Sequence, residues 1–216
     1  MFNRSKNTLL LVTLTLAISM SLFIGCGDRE AKNPSSEEFL KKDALAALKS
    51  TYAEDYTRIT IIRGALNKFI VNTQKPQFLG IATGAMESAV FPEDYELKRL
   101  SQLENITAEM RKEIIRQPML MITVKKREVF NHIYQSVFKP LSEQTDKGQQ
   151  AGPQETAVLT ELINLLDDLT QNYSVLADQN VDFHSSEAQQ AFYSVQQTFR
   201  EMQKLQLFKQ ANPKKS

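Results

Sequence analysis

Residues 45–69 read LAALKSTYAEDYTRITIIRGALNKF, and they carry the clearest periodic pattern in this chain of 216 residues. Apolar residues, with one aspartate among them, recur there at alternating spacings of three and four: Leu45, Leu48, Tyr52, Asp55, Ile59, Ile62, Leu66 and Phe69. This spacing places the side chains on one face of an α-helix. It predicts a long amphipathic helix over about 39–73, which Lys75-Pro76 ends.

The same period continues along the rest of the chain. It predicts helices at 94–116, 118–139 and 154–178. Ser185-Ser186-Glu187 has the residue types that begin a helix, and the apolar pattern then runs to Phe208. The sequence contains no strand-like alternation and no Asn-Gly or Asp-Gly hairpin turn. It therefore predicts an all-α fold, an elongated antiparallel bundle of about five or six helices joined by short turns.

The segment 77–91 is unusual because Glu87 is its only charged residue. Helical spacing is kept, and Gly80 and Gly84 fall on one face with Ser88 next on it. One interpretation is a buried helix whose small residues let a neighbour approach closely. A second is an apolar contact segment for a partner or the membrane. A third is a mobile loop, since a glycine inside a helix costs about 1 kcal/mol relative to alanine.

The predicted domain organisation is a single helical bundle at 39–211, with a loop at 142–154 and a basic tail at 212–216. Two of the 26 Lys and Arg residues lie before residue 26, so the rest of the chain carries 24 basic and 25 acidic residues. A nucleic-acid-binding protein would show a basic excess. This balance predicts no nucleic-acid partner.

The N-terminus has the pattern of an export signal. Arg4 and Lys6 precede an uncharged apolar run, Thr8 to Ile24, and Asp28 is the first acidic residue of the chain. A basic start, an apolar middle and small residues at the cut are typical of a secretory signal peptide.

The end of this run resembles the lipobox of bacterial lipoproteins. It reads Phe23-Ile24-Gly25-Cys26, with Phe23 where leucine is usual. The resemblance covers about the first 27 residues and implies that residues 1–25 are a signal peptide. It implies that Cys26 receives a diacylglycerol thioether and an acylated amine, and that 26–38 is a polar tether. Several acyl chains on one protein hold it to a bilayer more firmly than a single chain does.

The resemblance also implies where the protein resides. In diderm bacteria, aspartate directly after the lipidated cysteine commonly retains a lipoprotein in the inner membrane, whereas this chain has Gly27 there. An outer-membrane anchor facing the periplasm is thus favoured over the inner membrane. Two alternatives stay open: 7–27 is long enough to span a bilayer uncleaved, or the signal is an ordinary one with an incidental cysteine.

Few residues could carry chemistry. Glu128 and His132 lie four apart on a predicted helix, but no further motif completes a metal site, and a hydrogen bond is the simpler expectation. Asp178, Asp182 and His184 share a turn, where aspartate commonly caps a helix. No methionine and histidine spacing indicates haem. The sequence therefore predicts no catalytic residue, no metal site and no cofactor.

Adjacent carboxylates such as Asp167-Asp168 could also suggest catalysis. Adjacent residues point to different sides of a helix, so these two carboxylates do not form a catalytic dyad. Phosphate-binding loops, GxSxG elbows and CxxC pairs are absent as well.

These observations predict a lipid-anchored envelope protein that is not an enzyme. The expected function is protein contact, as an accessory or scaffold subunit of a cell-envelope assembly. The expected partners are the bilayer, through acylated Cys26, and an envelope protein. The alternative is a lipoprotein that holds a small apolar molecule in its bundle.

Replacing Cys26 by alanine tests the anchor. We expect the membrane fraction of the variant to contain no protein of the mature size, because the thioether cannot form. Cell fractionation and gel mobility measure this, with Ser21→Ala as the control inside the apolar run. A Cys26→Ala protein that stays in the membrane at the mature size would contradict lipidation.

Overall fold

The computed structural model describes residues 36–91 and 117–207. Within these residues it contains five helices and no strand. Helix α3 has three sections, the middle one a π-helix. The bounds are α1 Ser36–Val71, α2 Pro76–Val90, α3 Gln117–Ile133 with Tyr134–Phe138 (π) and Lys139–Asp146, α4 Pro153–Leu176, and α5 Ser186–Met202. The predicted all-α bundle is confirmed.

Several predicted features lie outside the described residues. They are the signal 1–25, Cys26, most of the tether 26–38, the helix 94–116 and the tail 212–216. All described residues from 38 onward belong to one compact unit.

Two predicted boundaries were wrong. The loop predicted at 142–154 is helical up to Asp146, because buried Leu141 fastens this polar turn to the core. The helix ends at Asp146, and Gly148 just beyond it has a φ of 75°, a conformation that glycine adopts without steric cost. The last helix was predicted to run to Phe208 and instead ends at Met202.

The apolar stripe that predicted α1 forms the centre of the bundle. Seven of its eight residues are at most 2% exposed, and Leu45 is half-buried. Tyr52 lies against the rings of Tyr173, Phe183 and Phe192, at centroid separations of 6.0, 5.8 and 5.9 Å in edge-on geometry. Edge-to-face ring pairs add about 0.5–1.5 kcal/mol each beyond their buried area. This one side chain therefore joins α1 to α4, to α5 and to the turn between them.

Side-chain contacts show that neighbouring helices run antiparallel. Tyr52 meets Tyr173, whereas Arg63, further along α1, meets Asp167, which comes earlier in α4. The partners run in opposite directions along the two helices, as the short turns predicted.

Helices α2 and α3 are related in the same way. Thr83 lies against Ser142, and Val90, later in α2, accepts a hydrogen bond from Arg127, which comes earlier in α3. The face of α2 that carries Leu79, Ala82 and Met86 is buried.

Pro140 determines how the chain closes the bundle. In an α-helix the carbonyl of Ser136 would accept from the backbone N–H of residue 140, which proline lacks. The Tyr134–Phe138 section is π-helical here, with Lys139 N–H donating to the Tyr134 carbonyl. Leu207 N–H donates to the Ser136 carbonyl at 3.1 Å instead. The Ser136 carbonyl, in the π-helical section, thus accepts the hydrogen bond that attaches residues 203–207 to α3.

Side chains complete this attachment. His132 Nε2 lies 2.9 Å from the carbonyl oxygen of Leu205, and Gln154 donates to the Leu207 carbonyl. Leu205 and Leu207 are 4% and 1% exposed, so the segment after α5 is part of the core.

Replacing His132 by alanine should loosen this segment. A net hydrogen bond contributes about 1 kcal/mol, so the free energy of unfolding should fall by roughly that amount. The amide of Leu207 should exchange faster with deuterium. Hydrogen-exchange mass spectrometry on the full chain measures both effects.

The matched control is His184→Ala. His184 is exposed, and it is its backbone N–H that bonds to Asp182. Equal exchange at residue 207 in the two variants would contradict the role given to His132.

Candidate functional site

The described residues contain one buried ion pair, between Asp55 of α1 and Lys126 of α3. Lys126 Nζ lies 2.7 Å from Asp55 Oδ1 and 3.0 Å from Oδ2. The aspartate side chain is 3% exposed and the lysine 13%. Asp55 is the single polar residue in the α1 stripe, and this exception to the apolar pattern was the sequence signal for a buried polar contact. Its partner lies 71 residues later and had no local signal.

Tyr173 of α4 lies beside this pair. Its hydroxyl is buried and has no hydrogen-bond partner in the described part of the chain. Burial raises the pKa of Tyr173 well above its usual value, and the negative charge of Asp55 and then Tyr52 add to the rise. The phenol therefore stays neutral. Because these groups are enclosed by the core, the arrangement is that of a structural ion pair rather than a site open to a substrate.

Residues 125–127 of α3 form a basic run of two lysines and an arginine. Each of the three cations has a partner in the described chain, and only Lys126 is largely buried. Lys125 bonds to Glu128, Lys126 to Asp55, and Arg127 to the carbonyl oxygen of Val90. Lys125 lowers the pKa of Glu128 through this hydrogen bond and its charge.

The other residues considered for chemistry also have structural roles. Glu128 and His132 do not pair with each other; Glu128 accepts from Gln203 and His132 meets Leu205.

The aspartates in the turn after α4 form local turns, whereas Ser185 caps α5. Asp178 and Asp182 each accept a backbone N–H two residues on. Among the described residues, no three His, Cys, Asp or Glu side chains come together to hold a metal ion.

The outer face of α2 is exposed, and Glu87 at its edge is the one charged residue of this helix. Gly80, Gly84 and Ser88 lie on it, with Ile81 at 51% and Phe91 at 59% exposure. Methyl groups built on the two glycines would meet no atom of the described chain within 4 Å. The interpretation of 77–91 as a loop was therefore wrong, because these residues are helical up to Val90. Within the described residues, the two glycines do not face a neighbouring helix.

The one charge of α2 does not disturb this face. Glu87 accepts a hydrogen bond from the Tyr134 hydroxyl at 2.6 Å, which raises the pKa of Tyr134. The carboxylate is thus directed towards α3.

A second surface feature lies at the corner between α1 and α2. It is an open groove of about 460 Å³, lined by Gly64, Asn67, Lys68, Val71, Asn72, Lys75 and Phe78. Sequence analysis missed it, because its walls come from two helices whose relative placement no local pattern gives. We call it the corner groove.

None of the described helices is long and apolar enough to cross a bilayer. No family model, curated protein or solved structure matches this chain.

Replacing Asp55 by alanine should destabilise the fold strongly. It leaves the Lys126 ammonium buried without its carboxylate, which costs about 3–5 kcal/mol. The 13% exposure of Lys126 places the expected loss near the lower value. Chemical denaturation of the full chain in mild detergent measures it.

The control is the double variant Asp55→Leu with Lys126→Met, which removes both charges. It should recover most of the loss, because two apolar side chains need no partner. If the double variant is no more stable than Asp55→Ala, the ion pair is not what Asp55 contributes.

Proposed function

We propose that this protein is a lipid-anchored envelope protein that acts by protein contact, as an accessory or scaffold subunit of a cell-envelope assembly. Acylated Cys26 is the anchor in this proposal. The outer face of α2 is the contact surface, and it is the observation that carries the proposal. The partner is an envelope protein that presents an uncharged helix.

The chemistry of the α2 face supports this partner. The one charge at the edge of this face, Glu87, is already hydrogen-bonded to Tyr134. The rest of the face is a poor match for a charged surface, because a charge buried against it would lack a counterion. Glycines at positions 80 and 84 let a second helix approach the backbone, and exposed Ile81 and Phe91 supply apolar area beside them. Apolar and aromatic residues at the centre of an interface dominate binding.

Other chemistry-bearing groups support contact rather than catalysis. The Asp55 carboxylate pairs with Lys126 inside the bundle. The His132 ring contacts the Leu205 carbonyl, and the His184 backbone N–H bonds to Asp182 in a turn. What remains exposed on α2 is a surface rather than a reactive group.

Site-specific crosslinking in intact cells tests the proposal. A photoreactive residue at position 81 should capture one specific envelope protein. The same residue at position 193 is the matched control, because Tyr193 is exposed by 57% on α5. Gly84→Leu should abolish capture at position 81, since the new side chain fills the approach path. Capture of the same proteins from both positions, or capture that survives Gly84→Leu, would count against this surface.

Ligand binding is the second candidate function, and one observation favours it. The corner groove lies within the roughly 300–1,000 Å³ typical of small-molecule sites. It lies at the surface, whereas the sequence had suggested a molecule held inside the bundle.

A further inference from the structure

We propose that the corner groove binds a single-chain anionic amphiphile, a molecule with one acyl chain and a carboxylate or phosphate head. This inference rests on the second candidate function and is independent of partner contact through α2. Three features of the groove carry it: its apolar walls, its unpaired cations and its glycine.

Apolar side chains left open to water form part of the groove. Val71, at the end of α1, is 85% exposed, and Phe78, in the first turn of α2, is half-buried. An acyl chain lying against them would remove this surface from water, which is favourable in proportion to the apolar area covered.

Among the described residues, the charges that line the groove are all positive. Lys68 and Lys75 line it, no acidic residue does, and neither lysine pairs with a carboxylate in the described part of the chain. Lys68 Nζ lies 5.7 Å from the centre of the Phe78 ring, so cation and apolar wall are adjacent. An anionic head placed there would neutralise charge while its chain covers the ring.

The position of Lys75 points separately to an anion. It is the N-cap residue of α2, without a side-chain cap, and the first turn of α2 contains no acid. The N-terminus of a helix carries partial positive charge, so a cation at this position is unfavourable by itself. A bound anion would offset both the lysine and the helix end. Lys68, in the last turn of α1, also complements the opposite end of that helix.

Gly64 keeps the groove open. It lies inside α1, and a methyl group built on it would meet no atom of the described chain within 4 Å. Glycine in a helix interior disfavours the helix relative to alanine. A larger residue would therefore fit the fold, and the space that it would occupy is the groove itself.

Native mass spectrometry of the full acylated chain in mild detergent tests the proposal. The probes are oleate and an oleoyl lysophosphatidylglycerol, with oleyl alcohol as the neutral arm. We expect a one-to-one adduct with at least one anion and weaker binding of the alcohol. The stronger anion distinguishes a carboxylate source from a phosphate source. Binding of the alcohol as tight as that of both anions, or no adduct at all, would overturn the proposal.

Two matched glycine variants localise the site. Gly64→Leu should weaken anion binding by at least about tenfold, because leucine fills the groove. Gly84→Leu adds the same side chain in open space on the outer face of α2 and should leave anion binding unchanged. Both changes favour helix, so lost binding cannot be assigned to unfolding. Equal anion binding by the two variants would place the ligand elsewhere.

The lysines separate charge from shape. The double variant Lys68→Gln with Lys75→Gln should bind the anions more weakly and bind oleyl alcohol as before. The control is Lys139→Gln with Lys147→Gln, since both of these lysines are exposed and lie outside the groove. Photocrosslinking at position 81 in the Gly64→Leu background keeps the two proposals apart. Partner capture there should persist whether or not the groove binds a ligand.

Discussion

Burial of the α1 stripe is the constraint on which the rest of the structure depends. The chain has one cysteine, so no disulfide within it can stabilise the fold, and stability must come from packing. Three later parts of the chain cover α1: α3 through Lys126, α4 through Tyr173 and α5 through Phe192. None of these helices can be shifted independently, since each contacts the same central face.

The Asp55–Lys126 pair adds specificity to this packing. Displacing this ion pair would leave two charges in the core without partners, which is strongly destabilising. The pair therefore fixes the register of α3 on α1. Tyr173, neutral and without a hydrogen-bond partner, shows the cost of polar groups at this depth: its hydroxyl is desolvated without compensation.

Local sequence patterns predicted most of the helices, but not which surfaces the helices expose or which distant residues they contact. The spacing of three and four identified α1, and seven of its eight stripe residues are buried as expected. The end of α3 was missed, because the turn up to Asp146 is polar and depends on one buried leucine and on Gly148.

For the candidate surfaces, too, local composition could be read from the sequence, whereas three-dimensional contacts could not. The low charge of α2, with Glu87 as its one charged residue, was visible in the sequence. The exposure of α2 was not visible, because it depends on where α3 packs. The partner of Asp55 and the walls of the corner groove depend on residues distant in sequence or brought together by a turn. Such contacts have no periodic signature.

The attachment of Leu207 to the carbonyl that Pro140 leaves open affects when the core can be completed. During synthesis the α1 stripe emerges first, whereas Leu205 and Leu207 emerge after every described helix. Until they arrive, the Ser136 carbonyl lacks this donor and two core positions are empty. The final closure of the bundle therefore waits until residues 205–207 have been synthesised, and a chain that stops at Met202 lacks these two core side chains.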